Sequence, residues 1–142
     1  MALIREEVAQ QLREEFAGLV NPVRLAVFSQ ALADPESEQV KRLMEELAAI
    51  DARITVESYN FVLDTGKVAE LGMKRTPGIA VLGAEKDYGV RFYGLPSGYE
   101  FGTLIEAILD VSSGASGLSE TTKQALAQLK GPVHLQVFST PT

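Results

Sequence analysis

Residues 21–30 read Asn-Pro-Val-Arg-Leu-Ala-Val-Phe-Ser-Gln, and residues 131–140 read Gly-Pro-Val-His-Leu-Gln-Val-Phe-Ser-Thr. Six of the ten positions match without a gap, at an offset of 110 residues. In both copies valine and leucine alternate with other residues, which is typical of a β-strand with one buried face. The upstream apolar residues also correspond: Val8 with Leu118, Phe16 with Leu126, and Leu19 with Leu129. The repeat therefore indicates a helix–strand pair that occurs twice.

The helices follow from apolar residues spaced three and four apart and from residues that start or end helices. The clearest start is Asp34-Pro35-Glu36, which places an N-capping side chain before a proline at the first helical position. Ser97 and Glu100 predict a second start, a capping box in which each side chain bonds the other residue's main-chain amide. The predicted helices cover residues 3–19, 34–50, 65–71, 97–111 and 118–129.

The strands follow from alternation and from short apolar runs bounded by turn residues. The helix between the first two strands is long enough for a right-handed parallel crossover. Residues 83–86 make a tight turn between the third and fourth strands, which are therefore antiparallel. The order from residue 22 is thus β-α-β-α-β-β-α, which predicts an α/β fold with a mixed four-stranded sheet and helices on its faces. The predicted strands cover residues 23–28, 54–60, 78–82, 87–93 and 132–138.

The small-residue stretch Ser112–Gly117 is the best boundary candidate, because such residues are typical of linkers. It divides the chain into a complete unit, residues 1–114, and the opening helix and strand of an incomplete second unit, residues 118–142. The strand 132–138 then has no sheet of its own. Such a strand pairs with the host sheet or with a neighbouring molecule, so a homodimer through residues 132–138 is one expectation.

Composition excludes several classes of function. The net charge of −6 argues against nucleic-acid binding, which needs clustered lysine and arginine. No apolar run approaches the ~20 residues of a membrane span, and the N-terminus lacks a signal-peptide core, so a cytoplasmic protein is expected. The chain has no cysteine and one histidine, His134. We therefore expect no thiolate chemistry, no metal site and no cofactor.

The predicted order is that of the thioredoxin fold, and three stretches support a narrower resemblance. They are Asn21-Pro-Val-Arg-Leu25, the Arg75-Thr76-Pro77 turn, and Tyr88-Gly-Val-Arg-Phe-Tyr-Gly-Leu-Pro-Ser-Gly-Tyr-Glu-Phe101. Over nearly its whole length the chain resembles the first unit of the two-unit protein disulfide oxidoreductases of thermophiles, also called glutaredoxin-like proteins. It is similar too to the N-terminal region of the flavoprotein subunit of alkyl hydroperoxide reductase. Both families fuse two thioredoxin folds, which would explain the repeat.

The resemblance also implies where this chain departs from its relatives. Such families carry Cys-x-x-Cys at the start of the helix after the first strand, where the helix N-terminus lowers the thiol pKa. Here Asp34, Pro35, Glu36 and Ser37 occupy that place, and neither sulfur is present. The alkyl hydroperoxide reductase region likewise lacks cysteines in its first fold and keeps them in its second. The resemblance therefore implies a non-catalytic unit that supports or docks a redox-active second unit, a flavoprotein reductase or protein disulfide substrates.

Two smaller possibilities concern the residues that remain. Asp34 and Ser37 could form a catalytic pair, but no histidine lies nearby to activate the serine, and capping accounts for the aspartate. The resemblance makes Thr76-Pro77 the cis-proline turn, whose backbone in relatives pairs with an extended substrate. Thr76 could keep that peptide-docking edge, or Pro77 could only shape the turn. A stand-alone peptide-binding or dimerisation module is the alternative function.

Overall fold

A central strand organises the sheet in a computed structural model that describes residues 1–30 and 34–140. The strands are β1 (Val23–Ser29), β2 (Ile54–Asn60), β3 (Gly78–Gly83) and β4 (Val90–Tyr93), in the order β2-β1-β3-β4. β1 runs parallel to β2 and antiparallel to β3, and β4 runs antiparallel to β3. The predicted α/β fold with a mixed four-stranded sheet is confirmed.

Helices cover both faces of this sheet. They are α1 (Glu6–Phe16), α2 (Pro35–Ile50), α3 (Thr65–Leu71), α4 (Tyr99–Ser113) and α5 (Glu120–Ala127). Because successive side chains of a strand point to opposite faces, β1 contributes to two cores. Val23, Leu25 and Val27 pack in the larger core, with residues of α1, α2 and α4. Ala26 and Phe28 pack in the smaller core, beside α3.

The N-terminal helix is shorter than predicted, since α1 begins at Glu6 and not at residue 3. The Glu46 carboxylate on α2 accepts hydrogen bonds from the main-chain amides of Leu3 and Ile4, at 2.8–2.9 Å. Ile4 is nevertheless buried against the larger core. A side chain of α2 thus fixes a non-helical segment whose apolar spacing resembles a helix.

The predicted capping box at Ser97 and Glu100 is wrong. Gly98 is the N-cap of α4, at φ +60°, and no side chain caps the helix. Glu100 donates its main-chain N–H to the Ser97 carbonyl instead, at 3.2 Å. The positive φ, which glycine adopts without strain, moves the cap one residue past the serine. At its other end α4 continues to Ser113, two residues into the predicted linker.

The fourth strand starts at Val90 instead of residue 87. The Asp87 carboxylate accepts a hydrogen bond from the Gly89 amide at 2.8 Å and pairs with the Arg91 guanidinium. Gly89 has φ +84°, which breaks the extended conformation just before Val90. The local turn therefore replaces the first strand residues that alternation predicted.

The second copy of the repeat forms only its helix, over residues 120–127 and not 118–129. Residues 132–138, predicted as a strand, have no strand pairing and are exposed. A strand is defined by hydrogen bonds to a neighbour, and the described part of the chain offers this segment none. Pro141 and Thr142 lie outside the described residues.

A buried serine joins the end of α4 to the start of β1. The Ser112 hydroxyl accepts hydrogen bonds from the amides of Val20 and Asn21, at 2.9 and 3.0 Å, and donates to the Asn21 carbonyl at 2.7 Å. The Asn21 side chain donates back to the Ser112 carbonyl at 2.9 Å. Sequence reasoning placed Ser112 in a linker and missed this contact.

We expect Ser112→Ala to lower the free energy of unfolding by ~1–3 kcal/mol, because two amides and a carbonyl lose their partner. Ser113→Ala is the matched control, since Ser113 is exposed. Urea unfolding of both variants measures the difference. Equal midpoints for the two variants would contradict this account.

An ion pair fixes the loop that precedes β2. Arg53 donates to the Asp51 carboxylate and also to the carbonyls of Leu19 and Phe16, at 2.6 and 2.8 Å. The hydrogen bond from the Arg53 side chain is the main cause that lowers the pKa of Asp51 to about 2, against a usual 3.8. Arg53 thereby ties the end of α1 to the entry of β2.

The depressed pKa gives a pH dependence with a definite sign. Asp51 takes up a proton near pH 4 in the unfolded chain but only near pH 2 in the folded chain. The stabilisation is therefore fully present above pH 4 and is lost as the pH falls from 4 to 2.

We expect Asp51→Asn to lower the free energy of unfolding by about 1 kcal/mol at pH 6, after allowance for solvent screening. Urea titrations should show the gap closing by pH 2; a constant gap would contradict the assignment.

Candidate functional site

The end of the sheet where β1 finishes is also where β3 begins and β4 ends. Gly78, the first residue of β3, pairs with Phe28 near the end of β1 and with Tyr93 at the end of β4. Pro77 therefore lies at the same end of the sheet as Ser29, from which the chain leads to Asp34, the N-cap of α2. The Thr76–Pro77 peptide bond is cis.

Two hydrogen bonds connect the proline loop to the first turn of α2. The Gly94 amide donates to the Pro77 carbonyl at 2.9 Å, and the adjacent Leu95 amide donates to Glu36 Oε1 at 3.1 Å. Gly94 has φ +84°, and an added Cβ would lie 3.6 Å from Glu36 Oε1. The structure thus brings the sequence-predicted residues Glu36 and Pro77 to one edge, through the Gly94–Leu95 part of the stretch 88–101, to which the sequence assigned no contact.

The start of α2 is closed by its own side chains. Asp34 is the N-cap and accepts a hydrogen bond from the Glu36 amide at 3.2 Å, while Pro35 occupies the first helical turn. The buried Ser37 hydroxyl donates to Asp34 Oδ2. This hydrogen bond is the main cause that holds the pKa of Asp34 below its usual range. Asp34 is therefore an ionised capping group, and Ser37 is its hydrogen-bond donor.

In the described part of the chain, no histidine is recorded in contact with Ser37. The one histidine of the sequence, His134, lies in the exposed segment 131–140. A serine needs an adjacent base to become a nucleophile, and the group that the structure places against the Ser37 hydroxyl is the capping carboxylate of Asp34. Within residues 1–30 and 34–140, no group of three acidic or histidine side chains could hold a metal ion. In the same part of the chain, no helix is long and apolar enough to cross a membrane.

The proline loop presents open main-chain groups beside this helix start. Thr76 is half-buried, and in the described part of the chain no hydrogen bond reaches its main-chain N–H or C=O. Tyr93 supports the loop from one side: its hydroxyl accepts from the Lys74 amide at 3.2 Å, and its ring lies 4.8 Å from the Arg75 guanidinium carbon. An extended chain could therefore pair with Thr76 without displacing an existing bond.

A groove of about 480 Å³ opens next to the start of α2. Its walls come from the N-terminal segment, from α1 and α2, and from the loop that enters α4. They are largely apolar: Leu3, Val8, Leu43, Leu95, Pro96 and Phe101. Leu43 belongs to the larger core and Phe101 packs against it, and nothing local in the sequence indicated that they would also line a groove.

Comparisons with known proteins find relatives of similar sequence and similar fold. The alkyl hydroperoxide reductase protein AhpF of Staphylococcus epidermidis is 32% identical over 106 residues, which are 75% of this chain and 18% of that protein. A protein disulfide oxidoreductase from Aeropyrum pernix is 34% identical, with a TM-score of 0.77 over 89% of this chain and 56% of that one. The NTD_N/C domain of AhpF from Enterococcus faecalis is 30% identical, with a TM-score of 0.77 over 85% of this chain and 58% of that one.

No protein-family model matches the chain. The chain spans only about a fifth of the length of the curated AhpF relatives that it matches, at 18%. The shared fold and the shared sequence are both strong enough to fix the relationship. The chain is a homologue of the N-terminal region of the alkyl hydroperoxide reductase protein AhpF and of a protein disulfide oxidoreductase, and it has their thioredoxin-like fold.

Proposed function

We propose that this chain is a non-catalytic thioredoxin-fold unit of a thiol–disulfide oxidoreductase, which supports or docks a redox-active second unit. One observation carries the proposal: at the start of α2, the Ser37 hydroxyl donates a hydrogen bond to Asp34, at the two positions where a redox-active thioredoxin fold would have its cysteines. The whole sequence contains no cysteine. A relative of oxidoreductases that has no thiol makes sense if another unit of the protein carries out the chemistry.

The chemistry of disulfide exchange supports this reasoning. Exchange begins when a thiolate attacks a disulfide sulfur and forms a mixed disulfide. A carboxylate or an unactivated hydroxyl cannot take the place of that thiolate. The fold nevertheless has a helix N-terminus beside the Pro77 loop. The chain thus lacks the reacting sulfur atom but has the helix end that would stabilise it as a thiolate.

The repeat supports a second unit as the partner. The chain covers 56% and 58% of the two homologous solved chains, which is more than one half of each. The excess over one half fits residues 118–142, as the start of a second thioredoxin-fold unit after the unit at residues 1–114. A flavoprotein reductase and protein disulfide substrates would then bind a protein that contains both units, in the cytoplasm.

We expect this chain not to accelerate the reduction of insulin by dithiothreitol, whereas Asp34→Cys/Ser37→Cys should accelerate it at least about tenfold, because the helix N-terminus favours a thiolate. The matched control is Asp110→Cys/Ser113→Cys, which has the same spacing at the C-terminal end of α4. That helix end disfavours a thiolate, so the control should stay near the background rate.

Insulin turbidity follows the three proteins under one set of conditions. Activity of the unchanged chain would refute a non-catalytic role. Equal activity of the two double-cysteine variants would show that the start of α2 is not the redox position.

A second candidate function rests on the open main-chain groups of Thr76. A peptide-binding module would pair an extended segment with this edge, as strand addition does elsewhere. The exposed side chains of Val62 and Leu63, which follow β2 at the same end of the sheet, would add apolar contact. This function needs no sulfur and could operate in the chain alone or within the longer protein.

Titration with the oxidised insulin B chain should shift the Thr76 amide resonance and slow its hydrogen exchange, because a new hydrogen bond protects it. Thr122, on exposed α5, serves as the internal reference and should not shift. Two-dimensional NMR measures both residues in one sample. A titration that leaves Thr76 unchanged at millimolar peptide would count against peptide docking.

A further inference from the structure

One face of α2 forms the base of the groove that opens beside the start of this helix. Four of its residues are spaced three, four and three positions apart, and so share that face: Glu36, Gln39, Leu43 and Glu46. The middle two, Gln39 and Leu43, line the groove. The outer two, Glu36 and Glu46, accept hydrogen bonds from the main chain of the groove walls.

Both non-helical walls of the groove are held by these glutamates. Glu46 accepts hydrogen bonds from the amides of Leu3 and Ile4, at 2.8–2.9 Å, and so holds the N-terminal wall. Glu36 accepts one from the Leu95 amide at 3.1 Å and holds the wall that leads into α4. The groove is therefore formed without a ligand. Its volume of about 480 Å³ lies within the usual range of small-molecule sites, about 300–1,000 Å³.

Arg5 gives the groove a positive charge in an acidic protein. The net charge of the chain is −6, yet Arg5 is the one charged side chain among the described residues that line the groove. The next arginine along α1, Arg13, pairs with Glu6 at 2.9 Å, whereas Arg5 forms no ion pair within the described chain. The carboxylates of Glu36 and Glu46 are bonded to main-chain amides instead. The charge of Arg5 is thus left for a bound anion.

The polar groups of the groove are few and suit one charged head. Besides Arg5, the described lining offers the Gln39 amide and the Ser97 hydroxyl as side-chain hydrogen-bonding groups. Arg5 and Gly98 are also the N-caps of α1 and α4, and neither helix has a capping side chain. The first amides of both helices add to the positive potential.

The remaining lining surface is apolar and suits a hydrocarbon tail. A peptide in the groove would bring a main-chain amide and carbonyl with every residue, and apolar walls would leave most of them without a hydrogen bond. An unbranched hydrocarbon chain has no such groups. Apolar walls with a few polar groups that fix orientation are typical of small-molecule sites.

We infer that this groove binds a medium-chain fatty acid, whose carboxylate pairs with Arg5 and whose tail packs on Leu43 and Phe101. The site lies outside the Asp34–Ser37 pair and involves no sulfur. It therefore goes beyond the proposed function and does not depend on it.

Calorimetric titration of the chain with three ligands, all below their micelle concentrations, tests the chemistry of the site. Decyltrimethylammonium has the same tail as decanoate and the opposite charge, and acetate has the carboxylate without the tail. We expect decanoate to saturate one site and to bind at least about tenfold more tightly than decyltrimethylammonium, because a charge-assisted hydrogen bond to Arg5 is lost. Acetate should show no saturable binding. Equal affinity for the two tailed ligands, or no saturable binding of decanoate, overturns the inference.

Substitutions at exposed positions test the place of the site. Arg5→Gln should weaken decanoate binding at least about tenfold, whereas Arg75→Gln, the same change at an exposed arginine outside the groove, should leave it nearly unchanged. Gln39→Trp should fill the groove and abolish binding, whereas Gln124→Trp on exposed α5 should not. Decanoate binding that survives both Arg5→Gln and Gln39→Trp places the ligand elsewhere and overturns the inference.

A second copy of the chain is the competing occupant of the groove. Light scattering should give the same mass for the unchanged chain, for Gln39→Trp and for the chain with decanoate. A larger assembly that both decanoate and Gln39→Trp dissociate would assign the groove to a second copy and overturn the inference. The insulin assay is independent of these outcomes. Insulin reduction by the unchanged chain would remove the proposed function and leave the fatty-acid site standing.

Discussion

Burial of β1 on both faces is the constraint on which the rest of the structure depends. Its valines and Leu25 face the larger core, while Ala26 and Phe28 face the smaller one. A strand buried on both sides has its register fixed from both neighbours, since a slip of one residue would exchange the two faces. That register sets Phe28 against Gly78, and thereby places Pro77 at the end of the sheet from which the chain leads to α2.

The functional edge combines intact geometry with absent chemistry. The main-chain amides and the dipole at the start of α2 stabilise negative charge. Here the charge is the Asp34 carboxylate, which belongs to the helix itself and is held by Ser37. The helix start therefore stabilises a charge that the chain itself supplies, which supports the non-catalytic role proposed above.

Local patterns in the sequence were enough for the order of helices and strands along the chain and for the start of α2. Asp34-Pro35 contains its whole explanation within one helical turn, and the structure has the same cap. The contacts that were missed join distant residues. Ser112 bonds Asn21 across 91 positions, and Glu36 bonds Leu95 across 59. Where a prediction was wrong, a competing local effect decided: Gly98 displaced the capping box, and residues 132–138 lacked a neighbouring strand to pair with.

The central claim is that this scaffold still favours a thiolate at a position that holds no sulfur. The most direct measurement is the thiol pKa of the single variant Asp34→Cys, followed by thiolate absorbance near 240 nm. The account predicts a value clearly below the ~8.5 of a free cysteine, since the amides of α2 would stabilise the thiolate. A value at or above that of a free cysteine would contradict it.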